Sequence, residues 1–174
     1  MSDGLRYPVA HAPGSDKPHP GVPVLRFAAL MLVLTPAVAG AQPKALPGTP
    51  TKWQGFTRHD FKHDGRSAIV VVPDKALPGR PWVWRGEFFG AFADADAALV
   101  KAGWHLAYLS IPDQFGSPAA VKAWEGFHAA LVNDHGLHPK PGLIGLSRGG
   151  LYCMNWAATH PDKTLAVYLD NAVC

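Results

Sequence analysis

The chain has 174 residues, 48% of them hydrophobic, and a formal net charge of +3. That length holds one domain and hardly two. The small, dispersed charge has no basic run and argues against a nucleic-acid partner. The nine histidines nowhere take the spacing of a metalloprotease helix or a zinc finger, so neither metal nor other cofactor is expected.

Residues 1–41 differ from the rest. Residues 8–23 are rich in proline and glycine, and Arg26 then precedes the apolar run 27–34. Ala39-Gly40-Ala41 closes the segment before Gln42. A basic residue, an apolar stretch and small residues at the end describe a secretory signal peptide. The stretch is too short and too proline-bounded to span a bilayer. The leader before Arg26 is long, which leaves open a start downstream of Met1 or an uncleaved anchor. Cleavage after Ala41 and a secreted or periplasmic protein are the expectation. Residues 42–50 read as a linker, and 51–174 as the domain.

Within the domain, residues 53–61 and 67–72 read as strands around an Asp64-Gly65 hairpin turn. Pro81 to Trp84 begins a third strand that ends near Arg85-Gly86. Residues 93–102 have helical spacing, with Phe92, Ala95, Leu99 and Ala102 on one stripe, and Gly103 closes that helix. Residues 104–109 form a fourth strand. Ser117-Pro118 opens a helix by the cap-then-proline rule, which runs to about Asp134. Residues 142–146 are a fifth strand, 148–159 a helix and 165–169 a sixth strand. An antiparallel hairpin followed by alternating strands and helices, with strands almost continuously apolar, predicts a mostly parallel sheet covered on both faces.

Gly145-Leu146-Ser147-Arg148-Gly149 lies where the fifth strand meets a helix. Six serines and 18 glycines in this chain give about 0.06 chance matches to Gly-x-Ser-x-Gly, so strand, motif and helix together predict a nucleophile elbow. The turn lifts the Ser147 hydroxyl above the sheet edge, and Gly145 and Gly149 avoid collision across it.

With that motif and this order of elements, the domain resembles the α/β-hydrolases. The resemblance implies a three-layer α/β sandwich lacking the last strands, because the acid after a seventh strand and the histidine after an eighth have no counterpart. It also implies a serine hydrolase working through an acyl-enzyme on Ser147, with a histidine base and an acid. Asp170, at the end of the sixth strand, is the tentative acid. One oxyanion donor would be the Arg148 N–H and the other the Glu87 N–H, with Gly86 beside it in the loop after the third strand. Gly-Leu-Ser-Arg-Gly-Gly is similar to the elbow of glucuronoyl esterases, with Leu146 and Gly150 as departures. Arg148 then either favours an anionic transition state or substrate, or forms a salt bridge to Glu87 or Asp170 that fixes the loop. The alternative to the donor role of Glu87 is an ordinary surface ion pair between Arg85 and Glu87. Trp82, Trp84, Phe88, Phe89 and Phe115 cluster by position near the strand ends; Phe88 and Phe89, on the loop, are the pocket candidates, whereas Trp82 and Trp84 read as core. Cys153 and Cys174 either form a disulfide or leave Cys153 as a buried hydrophobe.

The expected substrate is a small-molecule or carbohydrate-linked ester. A non-catalytic binding module, a peptidase and an acyltransferase of the same fold are the alternatives. No histidine in the chain stands in the expected place.

Overall fold

The computed structural model describes residues 42–173; the signal-peptide reading and Cys174 lie outside them. Seven strands form one sheet in the order β1-β2-β3-β5-β4-β6-β7. The strands are β1 (Pro50–Trp53), β2 (Phe56–His63), β3 (Arg66–Val72), β4 (Trp82–Arg85), β5 (His105–Leu109), β6 (Gly142–Leu146) and β7 (Ala166–Asp170). The first three run antiparallel, and β5, β4, β6 and β7 are parallel to one another.

The strand expected over 53–61 is in fact two. Gln54 and Gly55 take φ of 47° and 88° and close a two-residue hairpin loop of the kind that matches strand twist. Asp64 and Gly65 do the same between β2 and β3, at 47° and 76°. Residues 42–49 have no regular structure, yet they are tied down. Lys44 N–H donates to the Asp134 carbonyl, and its Nζ meets Asp134 Oδ1, both at 2.7 Å.

Three helices make the outer layers: α1 (Asp94–Lys101), α2 (Pro118–Ala129) and α3 (Gly149–Thr159). Ser117 caps α2 by accepting the Ala120 N–H, and the helix ends in a π-helical turn over Ala130–Asp134. On the α2–α3 face the core is aromatic. Trp84 stacks on Trp124 with centroids 3.9 Å apart, and Trp82, Phe127 and Trp156 complete the cluster. Cys153 is a buried free thiol here, pushed up to about 12 by burial. The opposite face is smaller, with Val71, Val83, Leu106 and Ile144 against Val100 of α1.

The stripe predicted on α1 is displaced. Phe92 is 82% exposed, while Ala93, Asp96 and Val100 face inward. Counting apolar residues misses this face because a carboxylate occupies its centre. Ala95 and Leu99 instead line an apolar groove with Val83, Ile144, Ala166 and Tyr168. Strand β7 is exposed along most of its length. Among the described residues no helix is long and apolar enough to cross a membrane.

His105 is 1% exposed, and burial lowers its pKa to about 4. Its unfolded value is about 6.5. The unfolded chain therefore binds the extra proton first, and stability falls as pH drops from 6.5 towards 4. The contribution is up to about 3 kcal/mol across that window. Urea unfolding of His105→Gln, which cannot titrate, is expected to show a flatter pH dependence there. An unchanged slope would assign the acid sensitivity to other groups.

Candidate active site

Ser147 sits at the carboxyl end of β6 with φ of 48°, in the left-handed region. Few side chains adopt that backbone without surrounding support. Phe88, Phe92, Asp113, Phe115 and Asn171 share it, and all lie in loops that follow parallel strands β4, β5 and β7. Strained backbone thus gathers at one edge of the sheet. The Ser147 turn is pinned on both sides. Its N–H donates to the Asp170 carbonyl at 3.1 Å, and its own carbonyl accepts the N–H groups of Gly150 and Val173.

The glycines around this turn are set by contact. A Cβ on Gly145 would stand 2.8 Å from Gly150 Cα, and one on Gly149 would stand 3.1 Å from the Glu87 nitrogen. The two motif glycines therefore have different neighbours. Gly145 lets the strand meet the start of α3, and Gly149 lets α3 meet the loop after β4. A Cβ on Gly86 would overlap the Gly149 carbonyl oxygen. These approaches bring the Glu87 and Arg148 main chains together. Neither N–H is used in a main-chain hydrogen bond among the described residues.

Arg85 is no surface residue. It is 2% exposed and pairs with fully buried Asp96 at 2.8 Å. It also donates to the carbonyls of Glu87 at 3.1 Å and Ala91 at 2.6 Å. The expected Arg85–Glu87 ion pair is replaced by this buried one. Burial raises the Asp96 carboxyl above its usual range, and Arg85 pulls against that shift. Glu87 pairs with Arg148 instead, Oε2 to Nε at 2.9 Å. That contact holds the Arg148 guanidinium above its usual pKa.

Phe88 and Phe115 both lie against Arg148, with ring centroids 5.1 and 5.5 Å from its Cζ. Phe115, one of the aromatics that the sequence places near the strand ends, thus shares Arg148 with Phe88. Phe89 turns elsewhere. It packs on Trp53 and Tyr108, at 5.6 and 5.7 Å, under Arg58. The Asp170 carboxylate accepts from the Asn171 amide at 3.1 Å, one strand away from Ser147. No described histidine is bonded to either. His160 stacks on Trp156 and pairs with Glu125. His105, His128, His135 and His138 contact carbonyls of Pro81, Pro139, Lys44 and Lys140. Among the described residues no group of three or more His, Cys, Asp or Glu is placed to hold a metal ion.

No family model and no curated protein sequence matches this chain. Solved structures do. One is a cold-adapted esterase from an Arctic intertidal metagenomic library, with a TM-score of 0.58 at 18% identity over 72% of this chain and 63% of that one. Another is an acetyl xylan esterase from Aspergillus awamori, with a TM-score of 0.56 at 18% identity over 67% of this chain and 52% of that one. The chain therefore spans between half and two thirds of the length of these structures.

Substitutions at Asp96 and at Gly86, each with a control variant, test how this edge is held. Asp96→Ala strands the Arg85 charge and is expected to cost about 3–5 kcal/mol in urea unfolding, with Arg85→Met/Asp96→Leu recovering more than half. Strictly additive losses would show that the pair does not act as a unit. Gly86→Ala is expected to cost about 1–3 kcal/mol through overlap with Gly149. Gly126→Ala, inside α2 with ordinary clearance, is expected to gain about 0.5–1 kcal/mol. Equal effects of the two alanines on the unfolding midpoint would contradict the close-approach account.

Proposed function

Because residues 42–173 have the α/β-hydrolase fold, we propose that the protein is a serine hydrolase acting on carboxylic esters through an acyl-enzyme on Ser147. The observation that carries the reading is the left-handed Ser147 turn between a parallel strand and a helix. The Arg148 and Glu87 N–H groups, which make no main-chain hydrogen bond among the described residues, add support. Ser147 Oγ attacks the ester carbonyl carbon, and its proton passes to a base. The carbonyl oxygen becomes an oxyanion held by the Arg148 and Glu87 N–H groups, at the positive end of α3. The C–O bond breaks, and the alcohol leaves with the proton. Water then repeats the attack and releases the acid.

The proposal requires a general base, and the described histidines are hydrogen-bonded or paired elsewhere. Asp170 is the proposed acid partner, one strand over and joined to Ser147 through its main chain. Phe88 and Arg148 form a wall of the substrate site. The resemblance of residues 26–41 to a signal peptide supports an exported protein, for which a carbohydrate-linked ester is the proposed substrate. The absence of a described histidine at Ser147 favours one second reading, a binding module on a hydrolase scaffold.

Exogenous imidazole separates the two. A hydroxyl held in an oxyanion hole without its base keeps only weak catalysis, and a general base adds about 10²–10⁴-fold. Imidazole is expected to accelerate hydrolysis of a short-chain aryl ester at least tenfold over the same mixture with Ser147→Ala. Rates equal to that variant would favour the binding module. Release of a transfer product to an added alcohol, in excess of acid, would identify an acyltransferase.

A further inference from the structure

The loop between β5 and α2 is held by one side chain from another element. Tyr152, the fourth residue of α3, is 2% exposed. Its hydroxyl donates to the Ile111 carbonyl at 2.6 Å. It accepts the N–H groups of Phe115 at 2.9 Å and Gln114 at 3.3 Å. A phenol has one proton to give and lone pairs for two donors, so these contacts fill its capacity. Burial raises its pKa, which keeps the hydroxyl proton in place. The loop is also pressed onto the same helix. Gly116 has φ of 72°, and a Cβ there would overlap the Leu151 carbonyl oxygen. Asp113 and Phe115 have φ of 58° and 48°, a backbone that persists only where its surroundings over-determine it.

The loop delivers Phe115 to Arg148. Arg148 spends its Nε on Glu87 at 2.9 Å. Its side chain is 41% exposed and follows Ser147 directly in the chain. The orientation of that guanidinium is set by Glu87 at Nε together with the rings of Phe88 and Phe115 packed against it.

We infer that Tyr152 is a positioning residue. Acting through the loop over residues 111–117, it sets Phe115 against Arg148 and so fixes one wall of the substrate site beside Ser147. Tyr152 and the Ser147 turn belong to the same helix and its entry, so wall and nucleophile share one rigid reference. The kinetic consequence rests on the Ser147 proposal; the linkage from Tyr152 to Arg148 does not.

Tyr152→Phe removes the hydroxyl alone. The first readout is hydrogen exchange by NMR, which needs no substrate. The Phe115 amide and the Arg148 Nε–H are each expected to exchange about tenfold faster than in wild type. Phe115→Ala should accelerate the Arg148 group equally, and the double variant should add nothing. An Arg148 rate unchanged in Tyr152→Phe, with the Phe115 amide accelerated, would make the hydroxyl a purely structural tie and overturn the inference. The second readout is ester hydrolysis with imidazole. Tyr152→Phe is expected to raise KM about tenfold with kcat within twofold, and the effect should vanish in the Phe115→Ala background. Equal losses in kcat, or additive losses in the double variant, would overturn it. If wild type shows no hydrolysis, the Ser147 proposal fails, and the exchange measurements still decide the role of Tyr152.

Discussion

Four glycines allow three main-chain segments to meet at the carboxyl edge of the sheet, and the arrangement of the site depends on that meeting. Gly145 admits the start of α3 against the end of β6, and Gly150 admits residues 172 and 173 after β7. Gly86 and Gly149 bring the loop after β4 against the same helix start. A single methyl at any of these contacts would push two backbones apart. Backbone is the least yielding neighbour a new atom can meet, since it cannot change rotamer. The left-handed Ser147 is thus held by its neighbours and not by its own preference.

The loop after β4 needs a second support, because it carries both Glu87 and Phe88. Arg85 supplies it from inside the protein. Its guanidinium binds two carbonyls of that loop and the Asp96 carboxylate of α1. One Asp96 oxygen has no hydrogen-bond partner among the described residues, so the pair is weakly justified as a source of stability. Its role is better understood as order. A planar fork with several donors can fix a strand end, a loop and a helix at once, which an apolar side chain in the same place cannot do.

The elbow was legible in the sequence because its requirements are local. Small residues two positions either side of a serine, an apolar strand before and a helix after, are all contained in residues 141–159. The parallel half of the sheet was legible for the same reason, from runs of apolar residues between helical segments. What failed to show depends on partners distant in the chain. The turn at Gln54-Gly55 carries only one glycine as a signal, and a single strand over 53–61 satisfied the pattern. The inward face of α1 is marked by Asp96, which reads as polar surface until Arg85 is seen beneath it. Phe88 and Phe89 are adjacent and chemically alike, yet one meets Arg148 and the other meets Trp53. Tyr152 gave no signal at all, since its importance lies in a loop some forty residues earlier.

The central proposal is that Ser147, half-buried at a left-handed turn, is a nucleophile with main-chain donors beside it to receive negative charge. Intact-mass and peptide mass spectrometry after treatment with a fluorophosphonate tests it most directly, since the reagent reacts only with an activated or well-positioned hydroxyl. The account predicts one adduct per chain, located on Ser147, formed faster when imidazole is present. Label spread over several serines, or a chain left unmodified under both conditions, would contradict it.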